Sequence, residues 1–164
     1  MLKKIISGGQ TGADRAGLEV AKELGIATGG VAPKGYLTEN GPDPSLADFG
    51  LIEDGSEDYV IRTMRNVKMS DGTVIFGDMK SSGSLTTKLF CEKMKNPFLV
   101  NPEGSDLMDW ILSNKIETLN VAGNRASKNP GIAKVVRQTF MDAFETDPDL
   151  KARTHQIEMR LNGN

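Results

Sequence analysis

The 164-residue chain holds one cysteine, Cys91, and one histidine, His155. A lone thiol rules out an intramolecular disulfide and a cysteine-built zinc site, and a lone imidazole rules out a His–His metal site. No protein-built metal site is expected. Charge of one sign is also lacking: 20 Lys and Arg stand against 22 Asp and Glu, so no basic face for nucleic acid is indicated. Apolar residues at 38% and charged residues at 26% give a globular rather than a disordered balance. No apolar run approaches the ~20 residues that cross a bilayer. The opening Met1 to Gly9 runs into glycine without the apolar stretch and cleavage site of a signal peptide. The expectation is a soluble, cytoplasmic protein whose chemistry rests on carboxylates, Arg, Lys, hydroxyls and backbone amides.

What is present is an alternation of short apolar runs with helical periods. Lys3 to Ser7 reads as a strand ending in Gly8-Gly9, and Ala13, Ala16, Val20 and Leu24 then recur at helical steps. Ala13, Gly17 and Ala21 form a small-residue side that lets this helix approach a sheet closely. An extended segment over Ile26 to Ala32 leads into Pro33 to Gly55, a long stretch without sustained period; such loops are usually functional or disordered. From Glu57, Val60, Ile61, Met64 and Val67 share one helical face, while Tyr59, Arg62 and Asn66 share the other. Gly72 to Phe76 reads as a buried strand, and a helix with apolar Leu85, Leu89, Phe90 and Met94 follows Ser81. A strand over Pro97 to Val100, a helix over Ser105 to Asn114, a strand over Thr118 to Val121 and a helix over Gly131 to Phe144 complete the pattern. This alternation implies a single Rossmann-like, three-layer α/β domain over residues 1–146, its mainly parallel sheet covered on both faces. Residues 147–164, with Leu150, Ile157 and Leu161 on one side of a helical period, read as a tail for packing or dimerisation.

Three glycine-containing segments follow three of the expected strands: Gly8-Gly9-Gln10-Thr11-Gly12, Gly83-Ser84-Leu85-Thr86-Thr87 and Gly123-Asn124-Arg125-Ala126-Ser127. In a parallel sheet they open at one end. Glycines let backbone N–H groups approach an anion, hydroxyls add donors, and the helix that follows brings its positive end. Turn geometry and helix capping alone also ask for these residue types, but three segments in register with Arg125 favour an anion site, and phosphate suits it. Neither the G-x-G-x-x-G spacing of a dinucleotide site nor a Walker A lysine is present, and Lys34 stands where an acid would end the second strand. Asp14 contacts a ligand hydroxyl, pairs with Arg15 or caps its helix. Arg62, four residues from Asn66, belongs either to a two-pronged phosphate clamp or to a solvated face. Cys91 and Trp110 are expected in the core.

These residues resemble the molybdenum-cofactor carrier proteins, grouped with the LOG-type phosphoribohydrolases in a wider Rossmann-like superfamily. The likeness runs from Ile6–Arg15 through Gly29–Gly35 and Glu39-Asn40-Gly41. It continues through Tyr59, Arg62-Thr63, Asn66-Val67, Ser70–Thr73 and Gly83–Thr86 to Asn120–Arg125 and Pro130-Gly131-Ile132. It implies a pterin or nucleotide phosphate site at the strand ends, with a role in storing or delivering molybdenum cofactor (molybdopterin). Val31-Ala32 stands where relatives often show Trp-Cys, and Asn124 where a proline is common. The catalytic glutamate of the LOG-type motif falls on Leu89, so that mechanism would need Glu39, Glu53 or Asp71 instead.

The expected function is therefore a binding or carrier protein for a phosphorylated pterin or nucleotide-like molecule. The alternatives are a nucleotide N-glycosidase or related hydrolase, or a nucleotide sensor. The expected site residues are Gly8, Gly9, Gln10, Thr11, Gly12, Asp14, Arg15, Lys34, Glu39, Arg62, Asn66, Gly83, Ser84, Thr86, Gly123, Asn124 and Arg125. The expected partners are the small phosphorylated ligand, further copies of the chain in a dimer or tetramer and, for a carrier, molybdoenzymes.

Overall fold

The computed structural model describes residues 1–145 and Met159; the expected tail over 147–164 otherwise lies outside the described residues. The elements run β1 (Lys4–Ile6), α1 (Ala13–Glu23), β2 (Ala27–Ala32), β3 (Leu37–Thr38), β4 (Gly41–Pro42), β5 (Leu51–Glu53), α2 (Tyr59–Lys68), β6 (Gly72–Phe76), α3 (Ser82–Met94), β7 (Phe98–Val100), α4 (Gly104–Ser113), β8 (Thr118–Gly123) and α5 (Ile132–Glu145). Six strands form one parallel sheet in the order β5-β2-β1-β8-β6-β7, while β3 and β4 pair antiparallel as a separate hairpin. Helices α1, α5 and α4 pack side by side on one face, and α2 packs with α3 on the other. This is the expected three-layer α/β fold.

The chain lays strands outward from β1 through β2 to β5, crosses to β6 and β7, and last inserts β8 between β1 and β6. The order therefore reverses at β1 and β8, where Ile5 aligns with Leu119. In open α/β sheets the crevice outside the carboxyl ends of such a strand pair is the usual ligand position. Apolar runs buried on both faces build the floor: Ile5, Val74, Phe76, Leu119 and Val121 are fully buried, the pattern that parallel strands under two helical layers require. The small side of α1 meets β8 closely, since a Cβ on Gly17 would lie 2.8 Å from the Cβ of Val121. Among the described residues, no helix is long and apolar enough to cross a membrane.

Two local readings change. Residues 33–55 contain two 3-10 turns (Lys34–Tyr36 and Pro44–Phe49), the β3–β4 hairpin and the edge strand β5. Elements of two to six residues are too short to show a period. Segment Gly83 to Thr87 is not a loop but the first turns of α3, whose cap is Ser81, and Gly123 ends β8.

The close approach of α1 and β8 decides one substitution. Helix propensity alone favours replacing Gly17 with leucine by about 1 kcal/mol. With Val121 in the way, Gly17→Leu is expected instead to destabilise by about 1–3 kcal/mol, measured as a lower urea midpoint at unchanged m-value. A raised midpoint would mean that the helix stands off the sheet.

Candidate functional site

The site begins with a polar stripe that faces inward. On α2, Asn66 is buried at 2% exposure while Val60 lies 47% exposed, so the helix turns the Arg62–Asn66 side to the sheet. Asn66 accepts a hydrogen bond from the Val31 N–H and donates one to the Val31 carbonyl, both at 2.9 Å, which ties α2 to β2. Arg62, one turn earlier, then reaches over β1 towards α1. Its Nη1 donates to Asp14 Oδ2 at 3.0 Å, in an ion pair whose side chains are 13% and 4% exposed. Gly8 makes the passage: a Cβ there would collide with the guanidinium.

Asp14 also accepts from the Gln10 N–H at 3.2 Å, and its carbonyl accepts from Ser7 Oγ, which in turn accepts the Gly9 N–H. It thus holds the β1–α1 loop. Of its three expected roles, two are corrected: Gly12 is the N-cap of α1 with no side-chain cap bond, and Arg15 pairs with Glu19 and Asp43. Burial pushes the Asp14 carboxyl above its usual range, against the pull of Arg62 and the Gln10 N–H.

Around this pair lies a cavity of about 50 Å³, lined by Gly8, Asp14, Arg62, Thr63, Asn66, Gly83, Thr87 and residues Asn120 to Gly123. It sits where β1 and β8 end, at the reversal of strand order. Among the described residues, three buried polar atoms near the strand ends have no partner: Arg62 Nε, Ser84 Oγ and Gln10 Nε2. Burying an unmet donor costs about 1–3 kcal/mol, so such groups need a reason. At the outer side, the Arg62 and Arg125 guanidinium carbons each lie 5.6 Å from the centroid of the Tyr59 ring. The ring quadrupole attracts both cations and so gathers two like charges at one place. Among the described residues, no carboxylate lies within ion-pair distance of Arg125.

A second cluster joins the β3–β4 hairpin to two strand-end loops. The Glu39 carboxylate accepts hydrogen bonds from the hydroxyls of Thr11 and Ser127 and, at 3.2 Å, from the Ser127 N–H. The Glu39 N–H donates to Gln10 Oε1 at 2.9 Å, and the same oxygen accepts the Thr11 N–H. Bonds from Ser127 and then Thr11 hold the Glu39 carboxyl below its usual range. Gly12, at φ 81°, brings the β1–α1 loop against residues 124–126, where a Cβ would lie 2.7 Å from the Ala126 N.

The expected site residues therefore divide. Gly8, Asp14, Arg62, Asn66, Gly83 and Gly123 line the cavity, and Arg125 stands at Tyr59. Gly9, Gln10, Thr11 and Gly12 belong to the neighbouring β1–α1 loop, to which Glu39 is hydrogen-bonded. Ser84 is buried and unpartnered. Asn124 is a brace, accepting the Asp78 N–H at 2.6 Å and donating to Ser81 Oγ. Three lie apart: Arg15 holds the Asp43–Ser45 turn, Lys34 is exposed on a 3-10 turn, and the Thr86 hydroxyl donates to the Ser82 carbonyl. Thr63, Thr87, Asn120, Tyr59 and Ser127 take places the expectation omitted. Tyr59 stands three residues before Arg62 and Ser127 two after Arg125, spacings that carry the signal. Cys91 is fully buried, and burial pushes its thiol up.

A parallel sheet with glycine, arginine and buried polar groups gathered at the strand reversal places the molecule in the Rossmann-like class. The chain belongs to the circularly permutated YpsA SLOG family, whose model matches residues 5–144. A solved structure from Syntrophus aciditrophicus, described as a "putative molybdenum carrier protein", is similar at 39% identity and a TM-score of 0.79, over 87% of this chain and 94% of the other. No curated protein matches the chain.

Removing one partner of a buried ion pair leaves the other charge unmet. Arg62→Leu is accordingly expected to lower unfolding free energy by about 3–5 kcal/mol. In a double-mutant cycle, Asp14→Asn should restore part of the loss; additive losses would mean that the pair is not coupled. For Glu39 the folded value is the lower one, so its contribution is present above the ordinary glutamate value of about 4.3 and disappears as pH falls through the depressed value. The stability difference between the wild type and Glu39→Gln should be largest near neutrality and shrink below about pH 4; a difference independent of pH would remove the carboxylate from the account.

Proposed function

We propose that the protein is a cytoplasmic binding or carrier protein for a small phosphorylated ligand, either a pterin of the molybdenum-cofactor type or a nucleotide-like molecule. The observation that carries this reading is the pair of guanidiniums, Arg62 and Arg125, drawn to Tyr59 at the strand reversal. Asp14 balances Arg62, which leaves Arg125 to meet a ligand charge. Planar guanidinium groups suit phosphate oxygens, and the unmet Arg62 Nε and Ser84 Oγ supply further hydrogen-bonding capacity.

The donor set fits an anion, and the room fits only part of a ligand. About 50 Å³ accepts a phosphate-sized group, whereas pockets for whole small molecules usually span ~300–1,000 Å³. The cavity would take a part of the ligand, and the rest would remain outside it. The name of the Syntrophus aciditrophicus neighbour supports molybdenum cofactor as cargo, with molybdoenzymes as recipients. The position of the LOG-type glutamate supports a carrier over that hydrolase: Leu89 is 46% exposed and does not line the cavity.

The reading includes a homo-oligomer, either a dimer or a tetramer. Val60, Ile61, Leu85 and Leu89 are exposed on the packed helices α2 and α3, and clustered exposed apolar side chains mark interaction surfaces. Sedimentation of Leu85→Glu/Leu89→Glu should show a smaller species than the wild type; an unchanged coefficient would place the contact elsewhere.

The decisive comparison is equilibrium binding of isolated molybdenum cofactor and of AMP, with each sample checked for released base. Among the described residues Arg125 forms no ion pair, so Arg125→Ala should keep the fold and weaken ligand binding by about 1.5–3 kcal/mol, roughly 10- to 150-fold. Unchanged affinity would overturn the arginine assignment, and base release would overturn the carrier reading.

A further inference from the structure

The hydrogen bonds that tie residues 37–41 to the rest of the molecule, among the described residues, all run through Glu39. Within the hairpin, Thr38 Oγ1 donates to the Gly41 carbonyl and accepts the Asn40 N–H, so the hairpin keeps its own shape. Its base is anchored separately. Asp43 donates from its N–H to the Tyr36 carbonyl at 2.9 Å, Arg15 pairs with Asp43, and Arg15 and Lys22 both lie over the Phe49 ring. A fixed base and a tip held at one residue, by the Glu39 carboxylate and the Glu39 N–H, make a lid with a single latch.

The surroundings of that latch are those of an anion-binding site. Two hydroxyls and one backbone N–H, from the loops after β1 and β8, converge on one carboxylate, with the field of Arg125 added. The same loops border the strand ends from which the cavity opens. Gln10 supplies an independent sign that something is missing. Its Oε1 accepts two backbone N–H groups, from Thr11 and Glu39, so turning the amide over would set donor against donor. Nε2, on a side chain only 5% exposed, is left without an acceptor. Asp14 pairs with Arg62, and the Glu39 carboxylate lies in the field of Arg125 without an ion pair to it.

We propose that Thr11, Ser127 and Arg125 form an anion subsite which the chain's own Glu39 occupies, and that the phosphate of a ligand displaces Glu39 and so releases the β3–β4 hairpin. Displacement exchanges one anion for another on the same donors and, among the described residues, leaves the hairpin tip only the bond from the Glu39 N–H to Gln10 Oε1. The ligand oxygens also give Gln10 Nε2 the acceptor it lacks. This inference rests on the anion-binding reading above. It goes further in assigning Glu39, one of the residues expected at the site from the sequence, to the empty state rather than to the complex.

The test measures inorganic phosphate and AMP binding by calorimetry for the wild type, Glu39→Ala, Arg125→Ala and Glu39→Ala/Ser127→Ala. Hydrogen exchange at residues 37–42 is followed in the wild type. Loss of the internal competitor should tighten AMP binding by tenfold or more in Glu39→Ala, and removing the Ser127 hydroxyl from that variant should give back much of the gain. Adding AMP to the wild type should speed exchange in the hairpin. Weaker binding by Glu39→Ala would make Glu39 a ligand contact and overturn the latch. Unchanged binding by Glu39→Ala, with Arg125→Ala still weakened, would overturn the latch while leaving the anion site intact. Binding by neither the wild type nor Glu39→Ala would overturn both.

Discussion

The strand-end site hangs on the ion pair between Asp14 and Arg62. The two residues belong to opposite helical layers, and they meet only because Gly8, in the loop after β1, leaves the guanidinium a path. Each member depends on the others. A side chain at Gly8 would block Arg62, loss of Arg62 would strand a buried carboxylate, and loss of Asp14 would free the Gln10 N–H and with it the β1–α1 loop. A buried pair of this kind is weak evidence for stability, because desolvation consumes most of the attraction. Its value lies in position. It fixes the loop that meets Glu39, it holds Arg62 beside Tyr59, and it keeps half the positive charge of the site neutral.

The sheet and its helices were legible in the sequence because long strands and helices have periods that differ, and the alternation of the two admits few topologies. The inward face of α2 was not. Val60, Ile61 and Met64 form the more apolar side, yet Arg62 and Asn66 face the sheet, because Asn66 satisfies the Val31 backbone and Arg62 satisfies Asp14. Hydropathy periodicity registers water-avoiding surface, and it is silent on polar groups whose partners come from distant parts of the chain. The same applies to α3, where Ser84, Thr87 and Cys91 face inward and Leu85 faces out. In both helices, the two beside the cavity, these polar residues share the inward side with the expected Val67 and Cys91.

The glycine-rich segments were legible as strand-end features, and their division of labour was not. Glu39 and Ser127 stand 88 residues apart and Thr11 and Ala126 stand 115 apart, so no local pattern joins them. Asn124 shows the complementary case. Its side-chain amide braces the β6–α3 loop through Asp78 and Ser81. A residue in a glycine-rich motif can thus serve the loop beside it rather than a ligand.

The late insertion of β8 has a consequence for synthesis. Strands β1, β2 and β5 can pair as soon as they leave the ribosome, but the inner edge of β1 stays open until residues 118–123 arrive to fill it. Until then Ile5 and Ile6 offer an apolar strand with unpaired amides, the kind of edge that templates aggregation. Joining β1 to β8 closes a loop of more than a hundred residues, a slow step for a folding chain. The crevice that organises the molecule is also its last seam to close, so a nascent chain stalled before residue 118 would be a substrate for chaperones.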